Sequence, residues 1–376
     1  MSPFSRLLRL LGWLGAGGFF CFGALGLTIQ TLERVPLPRS LSGISGTTLG
    51  RYFNQGAGIT QFHPETFWEL RPGAEVLGVR INQDGFRGVW GPKARDARFR
   101  VLALGDSYTL DPGNAEETSW PRMIEAGMRK SGFEAQVLNF GMPGYTAYQG
   151  LRLYETKARQ WSPDLVLAAF GSRHEIENGD YGRSDIEKAE ITRGYAHRFR
   201  RFLERNGTMR FLSFALDPPK TPAQLASQNG RTRPRLTPQE MESTLVELVN
   251  AVRRDGHSIA LILPPRLELV EDLLKGITAY DEAIRRAAAA TNTLLIDVHK
   301  ALESRQQEVR GGGAKTLGNV VFYDAERLTS EGAIRYAIAV YTALMNAQMV
   351  PKLADSAGMH AGPRAASGPG SRAATK

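Results

Sequence analysis

From Phe99 onward the chain alternates short, unbroken apolar runs with longer stretches whose apolar residues recur at helical spacing. The runs are FRVLALG (99–105), AQVLNFG (135–141), DLVLAAFG (164–171), SIALILPP (258–265) and NTLLIDV (292–298). Runs of this kind read as strands buried on both faces, and their alternation with helices predicts an α/β fold with a parallel sheet covered by helices on either side. Helical spacing covers 119–131, 146–160 and 237–255, where Thr237 followed by Glu240 offers a reciprocal cap. A last helix is expected after Thr329.

Other segments break this rhythm. Residues 10–29, LLGWLGAGGFFCFGALGLTI, carry no charge over 20 positions, enough for a helix of ~30 Å that crosses a bilayer. Six glycines in that run suit a membrane helix better than a buried soluble one. Arg6 and Arg9 precede it, and no small-x-small cleavage site follows, so residues 1–34 are expected to form an uncleaved signal anchor with the following domain exported. Residues 35–49 are rich in Pro, Gly and Ser and read as a linker. Residues 50–98 mix aromatic and β-branched residues with Pro and Gly, as short strands and turns do. Residues 99–350 form the main domain. Within it 205–236 is too long for a plain connection and reads as a lid, a substrate-facing insertion or a surface loop. The tail, 351–376, is poor in apolar residues and is expected to be disordered.

Composition narrows the chemistry. One cysteine, Cys21, excludes an intrachain disulfide. The net charge of +9 is spread along the chain rather than gathered in runs, so a membrane or envelope surface is the expected partner and nucleic acid is not. No histidine pair has zinc-ligand spacing, and the glycine patterns of phosphate and dinucleotide loops are missing, so neither metal nor cofactor is expected.

Candidate chemistry gathers at the carboxyl ends of the strands, where open α/β sheets place their ligands. GDSYT (105–109) ends the first strand: Gly105 permits a tight turn, Asp106 suits it, and Ser107 opens a helix whose free N–H groups can stabilise an oxyanion. LNFGMPGYT (138–146) ends the second strand, FGSRHE (170–175) the third, and FYDAERLTSEG (322–332) precedes the last helix. This arrangement resembles the SGNH, or GDSL-type, hydrolases. The lead-in VRINQDGFRG and the stretch RLTPQEMESTLVELVNAVRRDGHSIALILPP are similar to membrane-anchored bacterial members. The resemblance covers about residues 60–347 and implies a flavodoxin-like three-layer α/β/α fold with a central five-stranded parallel sheet after one transmembrane helix. It also implies a single-pass protein of the bacterial inner membrane with its globular domain outside. By it Ser107 is the nucleophile, Gly141 an oxyanion donor through its N–H, and Asp324 the acid that orients a histidine.

Two positions depart from that family. Arg173 and His174 stand where the family has Asn and Asp of its GxND block, and Arg327 stands where the base of its DxxH block belongs. A guanidinium stays protonated and offers only donors, so Arg327 cannot take the serine proton and is expected to pair with Asp324. His174, at the same edge as Ser107, is the candidate replacement base, with Glu175 to orient it and Arg173 as an oxyanion donor. Trp120, Trp161 and the Tyr145/Tyr148 pair read as core rather than a sugar platform, with Tyr145 and Arg173 as the alternative cleft walls. Two functions follow. One is a serine esterase or acyl hydrolase acting on ester or acetyl groups of a lipid or envelope glycan. The other is an inactive relative that keeps the fold as an envelope binding or assembly module, Arg173 and Arg327 favouring an anionic ligand.

Overall fold

A computed structural model describes residues 20–29, 59–88, 98–171, 173–177, 179, 182–193, 207–216, 233–265, 271–298, 300–301, 321–324 and 327–350. Its strands are β1 (Thr60–His63), β2 (Phe67–Leu70), β3 (Glu75–Val76), β4 (Val79–Arg80), β5 (Phe99–Gly105), β6 (Ala135–Gly141), β7 (Leu165–Ala169), β8 (Ser258–Leu263), β9 (Leu294–Asp297), β10 (Phe322–Asp324) and β11 (Arg327–Leu328). The principal helices are α1 (Ser107–Leu110), α2 (Trp120–Lys130), α3 (Ala147–Thr156), α4 (Asp185–Arg193), α5 (Gly207–Leu216), α6 (Pro238–Arg254), α7 (Glu271–Ala290) and α8 (Ser330–Asn346).

The five apolar runs form one parallel sheet in the order β6-β5-β7-β8-β9. Alternate residues of each strand feed opposite faces: Leu102 and Leu104 join one core, Val101 and Ala103 the other. The first core is closed by α3, α6 and α7, the second by α2 and α8. Trp120 of α2 stacks on Tyr336 of α8, ring centres 4.6 Å apart. Trp161 and Tyr148 are buried, as expected. The predicted cap at Thr237 forms, its N–H donating to the Glu240 carboxylate at 2.8 Å, and Thr329 caps the last helix, its Oγ1 accepting from Gly332 N–H at 3.1 Å.

The lead-in is part of this core rather than an appendage. Phe67, Leu70, Val76, Val79, Ile81 and Phe86 all join the larger cluster, and Arg87 bridges to Asn139, covering the edge strand β6. The buried guanidinium of Arg87 donates to the carbonyls of Leu110 (2.7 Å), Asp111 (2.5 Å) and Asn114 (2.8 Å) and to Glu116 (2.8 Å). It thereby anchors the loop that leaves α1.

Residues 20–29 are helical. Among the described residues no helix is long and apolar enough to cross a membrane. Most of the expected span, the linker and the tail lie outside the described residues, as does most of 205–236 apart from α5 and 233–236.

Candidate active site

β5 and β6 run in register to Gly105 and Gly141, so both strands end side by side beneath α1. A Cβ at Gly105 would fall 2.1 Å from Thr109 Oγ1 and 2.5 Å from Ala169 O, and one at Gly141 only 2.0 Å from Leu110 N. Glycine is required at both places because α1 lies directly on the strand ends. Asp106 caps that short helix, its Oδ1 accepting from Tyr108 N–H at 2.9 Å. Ser107 is therefore held as the first helical residue at the sheet's carboxyl edge.

His174 meets it there. Ser107 Oγ lies 3.5 Å from His174 Nε2, and His174 Nδ1 lies 3.2 Å from Glu177 Oε1. Ser107 and His174 are both buried, at 5% and 4% exposure. The local reason is a turn after β7, closed by Ile176 N–H to Arg173 O at 3.1 Å. Residues three apart share a face of such a turn, so His174 and Glu177 point the same way. The carboxylate accepts from Nδ1–H in the neutral ring, which leaves Nε2 as an acceptor turned to the serine hydroxyl.

Charge reinforces this. Burial works against a protonated His174, yet the hydrogen bond to Glu177 and the charges of Asp106, Glu177 and Glu175 outweigh it and raise its pKa. Burial likewise opposes ionised Glu177, but His174, Arg235 and Arg173 together hold its pKa below the usual carboxylate value. Arg173 Nε is 3.4 Å from Glu177 Oε1.

Several expectations need correction. Glu175 does not orient His174: it is fully buried, its Oε1 accepts from Ala147 N–H at 3.3 Å, and burial pushes its pKa up to about 7. The N–H of Gly141 is not turned to the cleft, since it donates to Asn139 Oδ1 at 2.9 Å. Tyr145 follows its core reading rather than the cleft-wall alternative, fully buried with its hydroxyl on Trp68 O. Among the described residues nothing accepts from the N–H of Ser107 or of Gly144, two backbone donors at this edge. Glu177 and Gly144 escaped the sequence reading. The H-x-x-E spacing was the available signal for Glu177, and the second glycine of GMPG for Gly144.

The DxxR segment lies just before α8. β10 and β11 form a tight hairpin with Asp324 opposite Arg327, and Phe322 packs edge-on against Tyr108, ring centres 6.2 Å apart. Asn114 ties the hairpin down, donating to Leu328 O at 3.1 Å and accepting from Ser330 Oγ at 2.8 Å. The Asp324 side chain lies outside the described residues. No group of three His, Cys, Asp or Glu among the described residues is placed to hold a metal.

Residues 103–316 match the model of a family described as GDSL-like lipase/acylhydrolase. The matched span contains Ser107, Gly144 and His174 and stops short of Asp324 and Arg327. An arylesterase of Vibrio mimicus is 32% identical over 79 residues, 21% of this chain and 40% of that protein, so the match spans less than half of that relative. Among solved structures, an acetyl xylan esterase is similar over 65% of this chain and 99% of its own, with 15% identity and a TM-score of 0.43. A lipase/acylhydrolase from Enterococcus faecalis is similar over 66% and 96%, with 16% identity and a TM-score of 0.41.

Proposed function

The chain belongs to the GDSL-like lipase/acylhydrolase family, and we propose that it is a serine esterase or acyl hydrolase whose base is His174, oriented by Glu177. The observation that carries this reading is the line from Ser107 Oγ through the His174 ring to the Glu177 carboxylate, 3.5 Å and 3.2 Å long. Catalytic hydrogen bonds are often long before substrate binds and tighten in the complex.

In this mechanism Ser107 attacks the ester carbonyl while His174 Nε2 takes its proton. Glu177 fixes the tautomer and steadies the imidazolium. The N–H groups of Ser107 and Gly144 receive the oxyanion, with Arg173 as a side-chain donor where the family has asparagine. The imidazolium then protonates the leaving alcohol, and water releases the acyl group by the same route in reverse. The substrate is an ester or acetyl group on a lipid or envelope glycan. The uncharged run at 10–29, following Arg6 and Arg9, supports an anchor in a bacterial inner membrane with the domain outside. Protease added to spheroplasts should then digest the domain, whereas protection until lysis would exclude this topology.

Arg327 favours the second reading, an inactive relative that binds an anionic ligand, because it removes the family's own base. One experiment separates the two. The full chain is treated with a fluorophosphonate and with p-nitrophenyl acetate. Labelling and turnover that Ser107→Ala abolishes, and that His174→Ala lowers by ~10³-fold or more, are expected. A wild-type protein that neither labels nor turns over would leave the binding module as the answer.

A further inference from the structure

The turn that carries His174 and Glu177 is held by a distant piece of chain. Residues 233–236 run beside it: Gly179 N–H donates to Arg233 O (2.8 Å), Arg235 N–H to Glu177 O (2.8 Å) and Leu236 N–H to Glu175 O (3.1 Å). Arg235 then turns its side chain, only 10% exposed, back under the site. Its Nη1 donates to Gly144 O at 2.7 Å and lies 3.9 Å from Glu177 Oε2. Its Nη2 donates to Gln149 Oε1 at 2.5 Å and Asp185 Oδ2 at 2.9 Å, and its Cζ sits 5.3 Å from the ring centre of Trp68.

We propose that Arg235 is a positioning residue for the reaction, setting the Glu177 carboxylate behind His174 and the Gly144 turn beside Ser107 with one planar guanidinium. This rests on the esterase reading above. A guanidinium has donors on two edges of a rigid plane, so one edge can face Gly144 O and Glu177 while the other is clamped by Asp185 and Gln149. Trp68, whose Nε1 donates to Pro143 O at 3.2 Å, closes the same turn from the lead-in. A lysine carries the charge but has a single nitrogen and cannot serve both edges. Arg235 is also one of the charges that hold Glu177 ionised.

A purely structural role, as the cation of a buried pair with Asp185, makes a different forecast. The test uses the full chain as Arg235→Met/Asp185→Asn, which removes both charges of that pair so that no carboxylate is left buried alone. With p-nitrophenyl acetate, kcat should fall by ~100-fold, as misplacement of catalytic groups by about 1 Å does, while KM changes little. The His174 ring, followed by NMR titration, should hold its proton to higher pH, because the cation that acts on Glu177 has gone, while the Asp185 carboxylate lost with it is not among the charges acting on His174 or Glu177. Arg235→Lys should keep the histidine titration near that of wild type and still lose part of kcat. Wild-type kcat with an unmoved titration, or a kcat loss that follows melting temperature and is matched by Asp185→Asn alone, would overturn the proposal. A wild-type protein without esterase activity sinks the esterase reading itself. The NMR arm still reports on its own whether Arg235 acts on the Glu177–His174 pair, and an unmoved ring sinks the inference separately.

Discussion

At the scale of single residues, Arg327 stands three positions after Asp324, where the family resemblance would place the base. Arg327 has only donors, so a working site needs another base, and His174 is the imidazole that lies against Ser107 Oγ. The choice of Glu177 over Glu175 as its partner follows from turn geometry: adjacent residues on a turn diverge, residues three apart converge. Glu177→Gln gives this a signed test. The hydrogen bond and charge of Glu177 raise the pKa of His174, so their loss should move the acid limb of kcat/KM to lower pH and cut kcat by ~10²-fold to 10⁴-fold. That shift is opposite in sign to the one expected on losing Arg235. An acid limb that stays in place would remove Glu177 from the site. For Glu177 the chain offers only the H-x-x-E spacing, easily passed over because a glutamate in a polar loop reads as solvated, and nothing local ties Arg235 to a turn 58 positions earlier.

At the scale of elements, what was legible is what local pattern dictates. β5 to β8 appear where apolar runs are continuous, because a strand with helices on both sides has no polar face to show. α2, α3, α6 and α8 begin within a residue or two of their expected starts, since Ser119, Thr146, Thr237 and Thr329 stand at their caps. How the lead-in packs is not legible in the sequence, because its strands are only two to four residues long, too short to show which surface they cover. The β10–β11 hairpin is informative in another way. It packs against α1, fastened through Asn114 to Leu328 and Ser330, with Arg327 where the resemblance would expect a histidine. The family's original route should therefore be recoverable. His174→Ala/Arg327→His is expected to regain at least ~10-fold of the turnover lost in His174→Ala, a modest fraction of what a full triad supplies. If the double variant stays at the level of His174→Ala while remaining folded, the hairpin no longer aims residue 327 at Ser107.

At the scale of the whole molecule, the buried ionisable groups set stability against activity. Burial raises the pKa of Asp111 to about 6 and that of Glu175 to about 7, and His174 is raised as well. A group whose pKa is higher folded than unfolded adds stability that is fully present below the unfolded value and is lost as pH climbs through the folded one. For the two carboxyls that window opens near 4, at the ordinary values of 3.8 and 4.5, and closes at about 6 and about 7. For His174 it opens at the ordinary imidazole value of 6.5 and extends above it. All three slopes have the same sign, and each carboxyl is worth up to ~3 kcal/mol across its window. Glu177, with a lowered pKa, acts the other way, but its contribution is already in place above the ordinary glutamate value of 4.5 and adds no slope at neutral pH. The melting temperature should therefore decline between pH 5 and 8, and Glu175→Gln should flatten much of that decline, because Gln retains a carbonyl for Ala147 N–H and cannot ionise. Turnover should rise over the upper part of the same range, as His174 gives up its proton and becomes a base. A melting temperature that climbs from pH 5 to 8 would mean that these carboxyls ionise at a small cost in the folded chain. The ground beneath Ser107 would then be wetter than its burial implies, and the lengthened Ser107–His174 contact would have to be explained by solvent rather than by a site awaiting its substrate.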